Sequence, residues 1–364
     1  MSIGGVEKEL LALAAHIDKQ VYEINIILTK KRGELLNDIP KYVKVLEVGS
    51  DSYYPSINHI YNLASMLKKI KPAITIGFMQ DICFNILIAK ILFGIKTKVI
   101  ISEHIILSEW QRFVQTSNLK KILIRYLYPK ADVFIAPSRK ILDNLKSYLK
   151  IQTNNMYLLP NYIQQKVGEK SDEANELVKS KAKYFLFDGR LDKQKNITLL
   201  LKASSLLLAQ NAYCNIELVL IGSDATGEYK KLSKSLGIYN KTIFLGYVRN
   251  PHYYYKKAIG LVLPSEVEGM PRVLKQAMLS LCPIITSDFI GHDELITHLE
   301  NGLVFKRGST EQLLSSMKFF IDNKSQRKQM AKRAFDDISK TYTSKFETNF
   351  TESIKEILSC DKLS

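Results

Sequence analysis

The sequence predicts an α/β protein of two domains, each a parallel sheet covered by helices on both faces. Three observations carry that prediction. Short β-rich runs alternate with stretches of helical periodicity from end to end. The alternation breaks once, at a polar tract over 164–183, and then restarts. A chain of 364 residues is also long for a single hydrophobic core. Two such domains facing one another create a cleft, and open sheets bind ligands at the carboxyl ends of their strands.

Taken in order, "MSIGGVEKELLALAAHI" comes first. Gly4 and Gly5 turn into a helix whose apolar positions are Val6, Leu10, Leu13, Ala14 and Ile17. Such a loop normally follows a strand, and here it follows almost nothing. Strands are expected at 24–28, 43–48, 73–78, 98–102 and 131–136, with helical segments between them. The tract 164–183, "QQKVGEKSDEANELVKSKAK", is almost without large apolar residues and reads as a linker or an exposed helix. Strands resume at 184–188, 217–221, 242–245, 259–263 and 283–286, and a last helix over about 344–360 has its own stripe at Phe346, Phe350, Ile354 and Ile357. The expected division is a first domain over 1–163, a linker over 164–183, a second domain over 184–342, and a terminal helix within 343–364 that packs back towards the first domain.

Lys and Arg number 52 against 36 Asp and Glu, a formal charge of +16. That balance favours an anionic partner: nucleic acid, an acidic membrane surface or a phosphorylated ligand. No basic-aromatic module for nucleic acid is present. Cys83, Cys214, Cys282 and Cys360 are far apart, so neither a disulfide framework nor a zinc site is indicated, and a reducing cytoplasm fits. The apolar runs at 82–95 and 204–209 fall short of a membrane span, and the N-terminus lacks the order of a signal peptide. The chain therefore reads as soluble or peripheral. Tracts 66–71 and 119–130 mix bases with apolar residues, a composition that suits an anionic bilayer and equally a helix packed on one face. No Gly-x-Gly-x-x-Gly stands between a strand and a helix, which argues against a nicotinamide enzyme.

Two stretches carry chemistry. "FDGRLDKQKN" ends a strand at Gly189 and offers Arg190 and Lys195 ahead of a helix beginning near Thr198. Cations beside a helix N-terminus make a diphosphate clamp, although a basic surface turn reads equally well from this segment alone. "PSEVEGMPRVLKQAM" sets Glu268 beside Gly269 and Met270 in a strand-to-helix turn. Leu274, Ala277, Met278 and Leu281 mark the buried stripe of the following helix, leaving Arg272 and Gln276 on another face.

These segments share an order and spacing. "FDGRLDKQKNITLLLKA", "LVLIGSD", "IFLGYVRNP", "PSEVEGMPRVLKQAM", "PIITSDFIGHDELI" and "NGLVF" resemble the family 4 glycosyltransferases of GT-B fold. The match spans nearly all of the second half, and "GGVEKELLALA", "VIISEH" and "YPKADVFIAPSRKILDNL" fit more loosely in the first. The resemblance implies that Arg190 and Lys195 clamp the diphosphate of a nucleotide sugar, that Glu268 holds sugar hydroxyls, and that position 276 holds the ribose. The family has Glu there, and this chain has Gln276. The resemblance also implies that backbone around Val248 reads the base, that Gly189 and Gly269 approach the donor, and that His104, or Glu103 beside it, touches the sugar.

Sugar transfer with retention, without metal or cofactor, follows from the resemblance. The implied donor is a uridine diphosphate sugar, the acceptor lipid-linked or an oligosaccharide, and the location the cytoplasmic face of a bacterial membrane. A non-catalytic or decayed GT-B protein that binds nucleotide sugar or a partner transferase is the alternative. Family members usually begin with a short apolar strand before the glycine loop. Its absence leaves two expectations: a start that lies upstream, or a truncated product with Gly4 and Gly5 poorly held and activity low.

Overall fold

The computed structural model describes residues 4–49, 57–151, 154–163, 183–342 and 345–359. They divide into two compact units, Met1–Tyr162 with Ser344–Ser364, and Ile163–Thr343. The tract read as a linker lies outside the described residues, apart from Lys183, which already belongs to a strand.

In the first unit, helix α1 (Gly5–His16) starts from Gly4 at its N-cap and buries Ala12, Leu13 and Ala14. Ala14 packs with Ile26 and Val43, so α1 covers strand β1 (Asn25–Leu28), which pairs in parallel with β2 (Lys44–Glu47). After α2 (Ile57–Ile70), strand β3 (Ile74–Phe78) and α3 (Gln80–Phe93), the chain enters β4 (Lys98–Ser102). Val99, Ile100 and Ile101 are fully buried, the continuous apolar run of a parallel strand covered on both faces. Helices α4 (Leu107–Phe113) and α5 (Asn118–Leu127) lead to β5 (Val133–Ala136), and α6 (Arg139–Leu149) leads to β6 (Met156–Leu158). The Ser138 hydroxyl accepts the Ile141 N–H to cap α6, and Lys150 ends it in a left-handed conformation. The sheet order is β3-β4-β5-β6. Among the described residues no strand pairs with both β1 and β3, so this unit carries two separate parallel ladders.

The second unit is one six-stranded parallel sheet. Its elements are β7 (Lys183–Asp188), α7 (Ile197–Leu208), β8 (Ile216–Ile221), α8 (Glu228–Ser235), β9 (Thr242–Gly246), α9 (His252–Lys257), β10 (Gly260–Leu263), α10 (Arg272–Leu279), β11 (Ile284–Ser287), β12 (Leu303–Phe305), α11 (Thr310–Asp322) and α12 (Lys324–Ser339). The strand order is β12-β11-β10-β7-β8-β9. Strands β6 and β12 were not expected, because three residues are too few to display an alternation. Leu281 departs from the predicted stripe: α10 ends at Leu279, and a φ of 55° at Leu281 turns that side chain outward.

Helix α13 (Phe346–Ser359) returns the chain to the first unit and buries Phe346, Phe350, Ile354 and Ile357. The Phe350 ring meets His16 of α1 edge-on at 5.2 Å, and the Lys98 ammonium donates to the Ile357 carbonyl at 3.4 Å. No helix among the described residues is long and apolar enough to cross a membrane.

Candidate functional site

Strand order locates the site before any side chain does. From β7 the chain builds outward through β8 and β9, then returns to β7's other side and builds outward again through β10, β11 and β12. The reversal falls between β7 and β10, and a doubly wound sheet opens a crevice at the carboxyl ends of the strands on either side of such a reversal. The residues that follow β7 and β10 are the two stretches singled out from the sequence.

Backbone shape prepares this end of the sheet. Gly189 and Gly222 have φ of 153° and 136°. The Gly189 N–H donates to the Ile221 carbonyl at 3.0 Å, and the Gly222 N–H donates to the Gly246 carbonyl at 2.7 Å. A Cβ on Gly222 would sit 1.8 Å from the Gly189 carbonyl oxygen, so only glycine permits the three strand ends to converge.

The two loops are then sewn together. The Glu266 N–H donates to the Gln194 carbonyl at 2.9 Å, and the Gln194 amide donates back to the Val267 carbonyl at 2.8 Å. Asn196, whose side chain also caps α7, donates to the Glu266 carboxylate at 2.5 Å. These bonds bring the Lys195 ammonium onto the Glu268 carboxylate, which also accepts the Ser265 hydroxyl at 2.6 Å. Both side chains of this ion pair are largely buried, at 14% and 7% exposed. Arg190 lies at the rim, 57% exposed, with its guanidinium 3.1 Å from the Gln194 amide oxygen and 3.4 Å from Asp192.

Gly269 and Met270 are buried in the turn between β10 and α10. Gln276 is half-buried on α10, and its side-chain amide has no protein partner among the described residues. Val248 is half-buried just beyond β9. The corner thus offers one exposed cation, one buried ammonium–carboxylate pair and an uncommitted amide. Such a set can neutralise a diphosphate and hold hydroxyls.

Gly4, Gly5 and His104 belong to the first unit. The structure separates the two neighbours proposed for the sugar contact. Glu103 is 1% exposed, and burial raises its carboxyl pKa to about 7 against the lowering effect of the His104 and Ile105 N–H groups. It faces Cys83 and Tyr128, whose own pKa values burial also pushes up. His104 is half-buried beyond the carboxyl end of β4. Its Nε2 lies 2.8 Å from the Ser102 hydroxyl, its ring stacks on Phe78, and it lines a small hollow with Glu9 and Leu13 of α1. Of the two, His104 is the one a ligand can reach.

Two family models match the chain, "Glycosyltransferase Family 4" over residues 3–165 and "Glycosyl transferases group 1" over residues 169–337. This chain is a family 4 glycosyltransferase. The transferase is 27% identical to the N-acetylgalactosamine-N,N'-diacetylbacillosaminyl-diphospho-undecaprenol 4-alpha-N-acetylgalactosaminyltransferase of Campylobacter jejuni, over 91% of this chain and 90% of that one. It is 29% identical to a second alpha-1,4-N-acetyl-D-galactosaminyltransferase of the same organism, named for a GalNAc-containing diNAcBac-PP-undecaprenol, over 92% and 90% of the two chains. Among solved structures it resembles Anabaena HepE in complex with UDP, with a TM-score of 0.73 at 18% identity over 98% of each chain. It also resembles WaaG, a glycosyltransferase involved in lipopolysaccharide biosynthesis, with a TM-score of 0.75 at 15% identity over 97% and 96%. These likenesses establish the GT-B fold.

Sequence reasoning about the transferase missed Gly222, Gln194, Asn196, Ser265 and Glu266. All five stand inside the quoted segments. What they lacked was a signal that one loop hydrogen-bonds the other.

Proposed function

We propose that this transferase moves a sugar, with retention of anomeric configuration, from a uridine diphosphate sugar to a lipid-linked acceptor in surface glycan synthesis, working at the cytoplasmic face of a membrane. The observation that carries the reading is the Lys195–Glu268 contact beside Arg190 at the switch point of the second sheet. Arg190 and Lys195 are assigned to the diphosphate, where they stabilise the charge that develops on the leaving group. A bound diphosphate competes with Glu268 for Lys195, which frees the carboxylate for sugar hydroxyls. Gln276 is assigned to the ribose, the backbone around Val248 to the base, and Gly189, Gly269 and Met270 to close approach of the donor. In the first unit, His104 is assigned to the sugar, and Gly4 and Gly5 to the donor and acceptor. The UDP bound to HepE supports the choice of nucleotide, and the names of the Campylobacter relatives support an undecaprenol-linked acceptor.

The test is transfer from isotopically labelled UDP sugars to an undecaprenyl diphosphate glycan, with the new linkage read by NMR. An α-linked product from an α-donor is expected. An inverted product, or transfer from another nucleotide alone, overturns the assignment.

Gln276 favours a second reading, a protein that binds nucleotide sugar without turnover. An amide replaces the carboxylate there, and hydrogen bonds to charged groups are stronger by about 1 kcal/mol. Gln276→Glu should therefore tighten UDP binding roughly fivefold in calorimetry. Unchanged or weaker binding removes the ribose assignment, and a turning-over wild-type enzyme removes the second reading.

A further inference from the structure

The turn that carries Glu268 lies between β10 and α10, outside both elements, and most of its residues are buried. Three carbonyls in a row precede Glu268, and each is taken by a side chain from a different part of the sheet. The Ser265 carbonyl accepts the Ser287 hydroxyl from the end of β11 at 2.6 Å. The Glu266 carbonyl accepts the Arg307 guanidinium from beyond β12 at 2.8 Å. The Val267 carbonyl accepts the Gln194 amide from the loop after β7 at 2.8 Å. Enclosed backbone outside a helix or ladder must find such partners, so the donors that reach this turn set its path.

Arg307 differs from the other two donors in reach and in charge. Strands β7 and β11 flank β10, whereas β12 is the edge strand, one strand further out. A long side chain spans that gap, and its base is fixed in turn. The Arg307 N–H donates to the Asp288 carboxylate at 2.7 Å, and the Asp288 N–H donates to the Phe305 carbonyl at 2.9 Å. Arg307 is 32% exposed and Asp288 44%, so the pair adds little to the core. What it supplies is a charged donor, the stronger kind, aimed at the backbone two residues before Glu268. That restraint matters most with donor bound. The Glu268 carboxylate is held by Lys195 and by the Ser265 hydroxyl, and a diphosphate draws Lys195 away. Its place then depends on Ser265 and on the backbone beneath it.

We propose that Arg307 is a positioning residue for the donor sugar: its guanidinium pins the Glu266 carbonyl, so that Glu268 keeps its aim at the sugar hydroxyls after Lys195 has turned to the diphosphate. The role rests on the donor assignments made above, and its test separates the two. Calorimetry is run with UDP, UDP-glucose and UDP-N-acetylgalactosamine on the wild type, Arg307→Met and Arg307→Lys. Arg307→Met keeps the apolar stem and removes the donor. It should bind UDP as the wild type does and hold the sugar nucleotide that the wild type binds roughly tenfold more weakly. Arg307→Lys keeps a cation without the planar fork and should fall between the two. Either variant weakening UDP and sugar nucleotide in equal measure, or a methionine variant that weakens neither, overturns the role of Arg307 and leaves the donor assignments standing. A wild type that binds neither sugar nucleotide removes the assignment of Glu268 to the sugar, and this role with it.

Discussion

Arg190 and Lys195 carry the same charge on one loop, yet their removal has different consequences. Lys195 is paired with a buried carboxylate, and deleting one partner of such a pair costs about 3–5 kcal/mol. Arg190 is at the rim, where substitutions change stability by about 0.5 kcal/mol or less. Losing Arg190 should therefore slow transfer far more than it harms folding, whereas losing Lys195 should harm both. Arg190→Ala should keep the melting temperature and lose roughly a hundredfold in kcat, measured by donor turnover; normal turnover refutes its assignment. Lys195→Ala should also lower the melting temperature.

Glu103 sets a pH dependence of folding. Its folded pKa, about 7, lies above the ordinary 4.5, so between those values the native state holds a proton that the unfolded chain has released. Stability is then greatest below about pH 4.5 and falls as pH rises through about 7, by roughly 3 kcal/mol. Glu103→Gln should flatten this segment in urea titrations at about pH 5 and about pH 8. Cys83 and Tyr128 face the carboxyl and stay neutral across that range, and the nearby Asp81 is not enclosed with it. A variant with the wild-type slope would show that other groups produce it.

At the scale of elements, the strand-end corner depends on one atom that is absent. Gly222→Ala places a methyl against the Gly189 carbonyl at a φ of 136° and must force β7 and β8 apart where the loop bearing Arg190 and Lys195 begins. A loss of several kcal/mol and of UDP binding is expected, read by urea denaturation and calorimetry. Gly227→Ala is the control. Its φ is 70°, nothing lies within 4 Å of the new methyl, and the cost should be about 1 kcal/mol. Equal effects at the two sites would mean that positive φ alone, and not convergence of the strands, makes Gly222 necessary.

For the whole molecule, the last helix belongs to the unit that the chain builds first. Removing residues 345–364 strips Phe350, Ile354 and Ile357 from the first unit and leaves the sheet of the second intact. The single tryptophan, Trp110, lies on α4 and reports on the first unit alone. Its fluorescence transition should shift to markedly lower urea in the truncated protein while UDP affinity is retained. An unshifted Trp110 transition would mean that α13 contributes little to the first unit.

Local patterns in the chain fix where most strands and helices fall, and they single out the two stretches that form the candidate site. Alternation and helical spacing are properties of neighbouring residues, and they hold for β4 as for α13. Glycine before Arg190 and beside Glu268 was legible for the same reason. The tertiary structure alone decided that β7 lies between β8 and β10. Strand order is set by hydrogen bonds between segments remote in sequence and by the burial of both sheet faces, neither of which leaves a local trace. That order brings Lys195 onto Glu268 across 73 residues. Packing likewise turned Glu103 inward and left His104 accessible. It also buried Ile124 and Leu127 of α5 and left Leu119, Ile122 and Tyr126 outside, because a helix apolar on two faces offers either until its neighbours are in place.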